Sequence, residues 1–532
     1  MRSVGRLVLA VAFAFNTPAA GAKNGSSIGR NPLDNKFANF VKNTMDLVKV
    51  PGLAIAVIDG SSVFTQGYGI KNVAKPDEKC TPDTLFYAGS TTKAQTAAMM
   101  SMLIHENTHP ELANNWSTTL TSIIGDDFVY QDEWQTEHMT LDDLVCHRHG
   151  LARQDQSLMR EKDMKPLSLR DMVRNTRNLP DPVAPRTEVS YSNYGYLIIS
   201  YVIEKISKKE LKEVLKEQLW QQLGMNSTYF GLQDARDHAQ DRLAAGHLWR
   251  NGSQSYKQAT YMPLTDLSGA AAVISSVKDY AHWIKALLTK TLPFSADVQS
   301  DIREPRMLSS PTPGNVDIVL YGLGWYRSTY KGHVVYYHDG SMIGFKSQVW
   351  WFPDDNYGIV SFTNSDSGDD ANQIIGWKLI ADRFGIPEKD RFNQTRSYLE
   401  NVQTPAQRYD NAVQKLYPNH QMLNATTKPS FSREQLVGTY SSEGYGNMTL
   451  RTQGVDTLVA ERPEMTWMYG ITFSRIYGDH WMGSGAWLDD MSNPGAFHPV
   501  EFTNGTNGMP GAMKIRWQQL GGGEANVTFS RV

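Results

Sequence analysis

Strand signals stand at the two ends of one long segment of this chain, and the residues between them read as helices. Leu53-Ala54-Ile55-Ala56-Val57-Ile58 is an unbroken apolar run of strand length. Asp59-Gly60 follows as a hairpin turn, and Ser62 to Tyr68 returns as a second strand. Comparable signals come back only near Gly322-Leu323-Gly324-Trp325, Val334 to His338, Gln348 to Phe352 and Gly358 to Phe362. Between them, roughly 105 to 300, the pattern is mainly helical with long loops; Tyr194 to Ile206 and Val277 to Leu288 are its clearest helices. A helical pattern from Asn31 to Val48 precedes the first strand, and another from Ile374 to Phe384 follows the last. The arrangement predicts an α/β (α+β) fold: one antiparallel sheet assembled from distant segments and flanked by helices, with an all-helical subdomain inserted between.

Composition shifts after Phe392. Residues 393–430 are polar and read as a linker with a helical connector. From 431 to 532, short strand-like segments such as Gly438-Thr439-Tyr440, Met448-Thr449-Leu450 and Lys514-Ile515-Arg516-Trp517 alternate with Gly, Asn and Asp turns. That spacing predicts a small C-terminal β-barrel or sandwich of about 100 residues.

The N-terminus is of another kind. Arg2 and Arg6 precede an apolar run from Leu7 to Phe15, and Ala20-Gly21-Ala22 offers small residues for cleavage. Residues 1–22 therefore read as a secretory signal peptide, and the run is far short of the ~20 residues of a membrane span. Removing Arg2 and Arg6 takes the net charge from -3 to about -5. Neither value gives an electrostatic reason to expect nucleic acid or a membrane surface as partner. Sequons at Asn24, Asn115, Asn226, Asn251, Asn393, Asn424, Asn447, Asn504 and Asn526 fit a secreted glycoprotein. The two cysteines, Cys80 and Cys146, either pair as a local disulfide in an oxidising compartment or stay as buried thiols. The Cys146-His147-Arg148-His149 cluster lacks a second half for a zinc site and reads as a structural turn; no metal or cofactor is expected.

Three short motifs carry chemistry. Ser90-Thr91-Thr92-Lys93 opens an alanine- and methionine-rich helix, and residues three apart share a helix face. A serine hydroxyl needs a base, and a buried neutral lysine can be one. Alone the tetrad is common as a helix cap. Tyr191-Ser192-Asn193 stands before the Tyr194 helix: a phenol can relay a proton, and an amide can bind a substrate carbonyl and steady the lysine. Without the other motifs it is a polar helix start. His338-Asp339-Gly340-Ser341 ends a strand pattern, where Gly340 admits close backbone approach. The N–H groups of Ser90 and Ser341 form a possible oxyanion pair, and His338 can bond the tyrosine or the substrate. Otherwise this motif is a turn between strands.

In this order and spacing the motifs resemble the class C β-lactamase, penicillin-binding protein and D-aminopeptidase superfamily over about residues 40 to 385. The third motif, His-Asp-Gly where the lactamases usually have Lys-Thr-Gly, is similar to the CubicO-like esterase and peptidase branch. Val50-Pro51-Gly52-Leu53, Leu144 to Leu151, Leu223-Gly224-Met225, Ser268-Gly269-Ala270, Tyr321 to Trp325 and Gly344-Phe345 also resemble family segments. The resemblance implies a β-lactamase/transpeptidase-like catalytic domain over 23–392 and a lipocalin-like barrel over 431–532. It implies Ser90 as the acylated nucleophile, Lys93 as base and Tyr191 as partner acid/base, with Asn193, His338 and Gly340 lining the pocket. Without the family lysine at 338, esters, lactones, amides and small peptides rank above penicillins.

The function expected is thus that of a secreted serine hydrolase acting on a small molecule or short peptide. An acyltransferase using the same acyl-enzyme is the alternative, and a non-catalytic binding protein a third. No G-x-S-x-G elbow, H-E-x-x-H or dinucleotide fingerprint competes. The barrel either serves as a structural contact or caps the active-site mouth. Oligomeric state is open.

Overall fold

A computed structural model describes residues 30–532 except 163, 181–182, 310–314 and 519–523. The signal segment and Asn24 lie outside the described residues. The main sheet has eight strands, all antiparallel: β1 (Gly52–Asp59), β2 (Ser62–Gly69), β3 (Met307–Ser309), β4 (Val319–Tyr321), β5 (Tyr326–Tyr330), β6 (His333–Met342), β7 (Phe345–Phe352) and β8 (Tyr357–Thr363). Their order is β3-β4-β5-β6-β7-β8-β1-β2, so β1 pairs with β8 across the whole helical insertion.

Alternation in β1 explains why this strand is central. Ala54, Ala56 and Ile58 join one apolar core, while Leu53, Ile55 and Val57 join another on the opposite face. Helices α1 (Asn35–Val48) and α5 (Gly368–Arg383) cover the second face. On the first lie α2 (Thr92–His105), α3 (Asn193–Ser207) and α4 (Val277–Thr289). Helix α2 is buried on nearly every side, which its small alanines permit among close neighbours.

Three expectations change. Gly322 to Trp325 is not a strand: Gly322 N–H donates to Trp325 O in a tight turn between β4 and β5. His338-Asp339-Gly340-Ser341 lies inside β6 and not at a turn; the turn comes after Met342. Cys80 and Cys146 do not pair. Both are buried free thiols, the first near the Gly52 backbone and the second donating to Asp142 O at 2.9 Å. Burial pushes both thiols up to about 12.

Past the sheet, three helices occupy the connector, the longest being α6 (Pro405–Leu416). The C-terminal unit is a closed barrel rather than a sandwich. Its eight strands are β9 (Gly438–Ser442), β10 (Gly446–Gln453), β11 (Thr457–Arg462), β12 (Tyr469–Tyr477), β13 (His480–Trp487), β14 (Ala496–Asn504), β15 (Pro510–Gln518) and β16 (Glu524–Arg531). Polar contacts fix it to the rest: Thr466 Oγ1 donates to Asp266 Oδ2 at 2.6 Å, Thr260 N–H to Asp489 Oδ2 at 2.7 Å, and Tyr445 Oη to Gln154 Oε1. Of the sequon asparagines, Asn115, Asn226, Asn251, Asn393, Asn447, Asn504 and Asn526 are exposed.

Candidate active site

Ser90 sits in a single 3-10 turn, Gly89–Thr91, that runs straight into α2. The turn starts at Gly89 with φ +56°, a left-handed conformation in which any Cβ would also press within 3.0 Å of Ser341 N. Ser90 is half-buried and Lys93 is fully buried one turn later.

Lys93 Nζ has three neighbours: Asn193 Oδ1 at 2.8 Å, Ala270 O at 2.9 Å and Ser90 Oγ at 3.0 Å. The two carbonyl oxygens can only accept. Burial, aided by the nearby Arg153 guanidinium, holds the lysine well below its ordinary range. A neutral amine gives its two hydrogens to Asn193 and Ala270, which leaves its lone pair for the Ser90 hydroxyl proton. Asn193 cannot reverse its amide, because its Nδ2 donates to Asp155 Oδ1 at 2.8 Å. Asp155 in turn pairs with Arg153 at 2.5 Å, and the Arg153 guanidinium lies 5.7 Å from the Tyr191 ring.

Tyr191, from the extended segment before α3, reaches the Ser90 hydroxyl with its phenol, and burial raises that phenol above its ordinary range. Its ring packs on His147 at 4.2 Å, and Lys93 Nζ lies 5.0 Å from its centre. His147 is fully buried and held well below its usual range by burial, so it is a neutral wall. The turn reading of the Cys146–His149 cluster understated it: His147 orients Tyr191 and accepts from Ser192 N–H at 3.3 Å.

The opposite side of the site is β6. Strand β5 begins at Tyr326, opposite Tyr337, so the edge of residues 338–342 on that side is not paired by β5. Gly340 lies over Ala88, where a Cβ would come within 2.1 Å of the carbonyl oxygen. Ser341 N then stands beside Gly89, next to Ser90 at the start of a helix whose first N–H groups lack intrahelical acceptors. His338 donates from Nδ1 to Asp339 O at 2.6 Å and accepts from Tyr321 Oη at 3.1 Å. Burial pushes it down to about 4, so it presents no cation. It therefore bonds Tyr321 and not Tyr191, whose ring centre is 6.1 Å away. Lys346, on β7, donates to Ser341 Oγ at 2.5 Å and pairs with Asp366 at 3.5 Å.

Ser90, Lys93, Tyr191 and Asn193 thus converge from α2 and the start of α3, and Gly340 and Ser341 face them. Arg153, Asp155, His147 and the Ala270 carbonyl were not singled out as site groups by sequence reasoning; Arg153 and Asp155 sit in a loop without periodicity. The arrangement can take a proton from a hydroxyl, hold a tetrahedral oxyanion between two backbone N–H groups, and pass the proton on through a phenol.

Comparison with known proteins agrees with this chemistry. The family model Beta-lactamase matches residues 37–382. The protein named Unguisins hydrolase ungD' of Aspergillus campestris is 32% identical over 504 residues, covering 93% of this chain and 91% of the relative. Unguisins hydrolase ungD of Aspergillus violaceofuscus is 33% identical over 526 residues, covering 94% and 91%. Among solved structures, the octameric penicillin-binding protein homologue from Pyrococcus abyssi has a TM-score of 0.58 at 17% identity, covering 93% of this chain and 99% of that one, a likeness of fold. A match over most of the chain, with hydrolases among the relatives, settles the family: this chain is a serine hydrolase belonging to the Beta-lactamase family.

Proposed function

We propose that the protein is an exported hydrolase that cleaves an amide, ester or lactone bond of a small molecule or short peptide through an acyl-enzyme on Ser90. Lys93 removes the hydroxyl proton as Ser90 Oγ attacks the carbonyl carbon. The N–H groups of Ser90 and Ser341 hold the oxyanion, and Tyr191 passes the proton to the leaving nitrogen or oxygen. Water, deprotonated by the same groups, then releases the acid. The observation that carries this reading is the coordination of Lys93 Nζ: two acceptor-only partners and one hydroxyl, in a site that keeps the amine neutral. Relatives named as unguisins hydrolases support a hydrolytic role. His338, hydrogen-bonded and neutral, offers no anchor for a penicillin carboxylate. Export rests on the N-terminal sequence and on seven exposed sequon asparagines.

Hydrolysis of p-nitrophenyl butyrate by wild type and Ser90→Ala tests the assignment. Activity that persists unchanged in the variant refutes it. Acyl transfer shares the same intermediate; product analysis with an added amine separates the two, since free acid alone counts against transfer.

A further inference from the structure

Between the catalytic unit and the barrel lies a cavity of about 470 Å³. Arg153, Asp155 and Ser341 line its catalytic side, so it opens from the reacting centre. Its far wall is the inside of the barrel: Trp467, Trp487, Ile471, Gly485, His498 and Trp517. A closed barrel of eight strands is ordinarily filled by its own side chains. Here β13 has glycine at two alternate positions, Gly483 and Gly485, opposite His498 and Ala496 of β14. At Gly483 a Cβ would meet Ile471 and Val500 at 3.2 and 3.3 Å, inside the packed core. At Gly485 the nearest atom is His498 Nε2 at 3.6 Å, so the space in front of that nitrogen is open. Trp467 and Trp487 stack at 6.0 Å on the rim, and Trp487 Nε1 donates to Asp366 Oδ2 at 3.3 Å, tying that rim to the catalytic unit.

Of the polar side chains lining this hollow, which include Asp366, Asp490 and Gln518, His498 is the one that faces Gly485. It is only 3% exposed and packs edge-on against Trp517 at 4.7 Å. Its Nδ1 accepts from Gln518 N–H at 3.1 Å, so the neutral ring carries its hydrogen on Nε2. Burial, which pushes this histidine down to about 3, keeps the ring neutral. Nε2–H has no acceptor among the described residues. Both cations lining the cavity are engaged, Arg153 by Asp155 and Arg408 by Asn493 Oδ1 and Pro494 O. The hollow is therefore lined mainly by apolar groups, with unpaired N–H donors at His498 Nε2, Trp467 Nε1 and Trp517 Nε1 among the described residues and no free positive charge.

We propose that the barrel mouth is a substrate subsite. It takes a large aliphatic or aromatic side chain, while His498 Nε2–H donates to an uncharged acceptor, such as a peptide carbonyl, on the same molecule. The inference rests on the acyl-enzyme reading of the neighbouring site and narrows its substrate to a capped or cyclic apolar peptide rather than a single amino acid.

The probe is acetyl-Phe-Leu-Leu-amide, in all-L and all-D forms, as a competitive inhibitor of p-nitrophenyl butyrate hydrolysis. The ester is too small to need the barrel. A leucine at Gly485 has room at Cβ and fills the hollow. Gly485→Leu is expected to keep ester kcat/KM within about threefold and to raise the peptide Ki about tenfold or more. His498→Phe keeps the ring and removes the donor, and is expected to raise Ki about two- to tenfold. A wild-type enzyme that neither peptide inhibits, or a Ki unchanged in both variants while ester turnover is kept, overturns the subsite. If Gly485→Leu loses ester turnover as well, His498→Phe decides. If Ser90→Ala still turns over ester, the catalytic reading fails, and calorimetric titration of the peptides into Ser90→Ala and Ser90→Ala/Gly485→Leu tests the hollow by itself.

Discussion

Replacing Lys93 by methionine keeps the length of the side chain and removes both its basicity and its donors. Two consequences follow from the three contacts of Nζ. Ser90 loses its base, and general-base catalysis of this kind contributes about 10²- to 10⁴-fold, or about 3–5 kcal/mol of barrier. Asn193 Oδ1 and Ala270 O lose their donor, and Asn193 cannot compensate by turning because Asp155 holds its Nδ2. Each buried acceptor left unpaired costs about 1–3 kcal/mol, partly offset because a buried amine no longer has to be desolvated. Lys93→Arg is the informative partner: it keeps donors but is never neutral, so it is expected to lose as much rate as the methionine variant. The assay is kcat/KM for p-nitrophenyl butyrate between pH 5 and 10, with Tm as a control for folding. In wild type the base must be unprotonated, so the rate falls as pH drops through the depressed lysine range, far below its usual 10.5. That limb is expected to vanish in Lys93→Met. A methionine or arginine variant within threefold of wild type, with the acid limb intact, refutes the assignment of Lys93.

Other outcomes follow from neighbouring contacts. Asp155→Ala frees the Asn193 amide and strips Arg153 of its partner, so kcat/KM is expected to fall about tenfold or more and stability by about 3–5 kcal/mol in a thermal melt; an unchanged melt and rate would count against the network. Gly340→Val drives a Cβ into Ala88 O, displacing β6 and the Ser341 N–H, with an expected loss of about 10²- to 10³-fold in kcat. His338 is neutral when folded down to about 4, against 6.5 when unfolded, so the unfolded chain binds more protons between those values. Stability therefore falls as pH drops from 6.5 to about 4, by on the order of 3 kcal/mol from this residue, and acid titration of wild type against His338→Gln reads the difference. Cys80 and Cys146 are expected to resist iodoacetamide in the native state, and reductant to leave Tm unchanged; a disulfide mass in the unreduced protein would contradict this.

Much of this was legible in the chain because it is local. A hairpin turn at Asp59-Gly60 between apolar strands, a Ser and a Lys one helical turn apart, and glycine next to a strand all have short-range signatures. What the chain hid is set by tertiary placement. Arg153 and Asp155 carry no motif; they matter because their loop passes behind Asn193. His338 looked like a residue at a strand end because its neighbours Asp339 and Gly340 are turn-formers, yet β7 pairs across all four residues of the motif and β5 does not. Gly322 and Gly324 sit among strand-forming residues, and their turn is visible only once β4 and β5 pair. The cysteines could be counted but their separation could not. Gly485 carries no motif; it matters because it is an inward position of a closed barrel left empty in front of His498.

The most direct test is the mass of the trapped intermediate. Wild type quenched in acid during turnover of a p-nitrophenyl ester, or treated with a fluorophosphonate, is expected to gain one acyl or phosphonyl group that peptide mapping places on Ser90. The label should be absent from Ser90→Ala and much slowed in Lys93→Met. A label on any other residue, or equal labelling of the Ser90→Ala protein, would contradict the account.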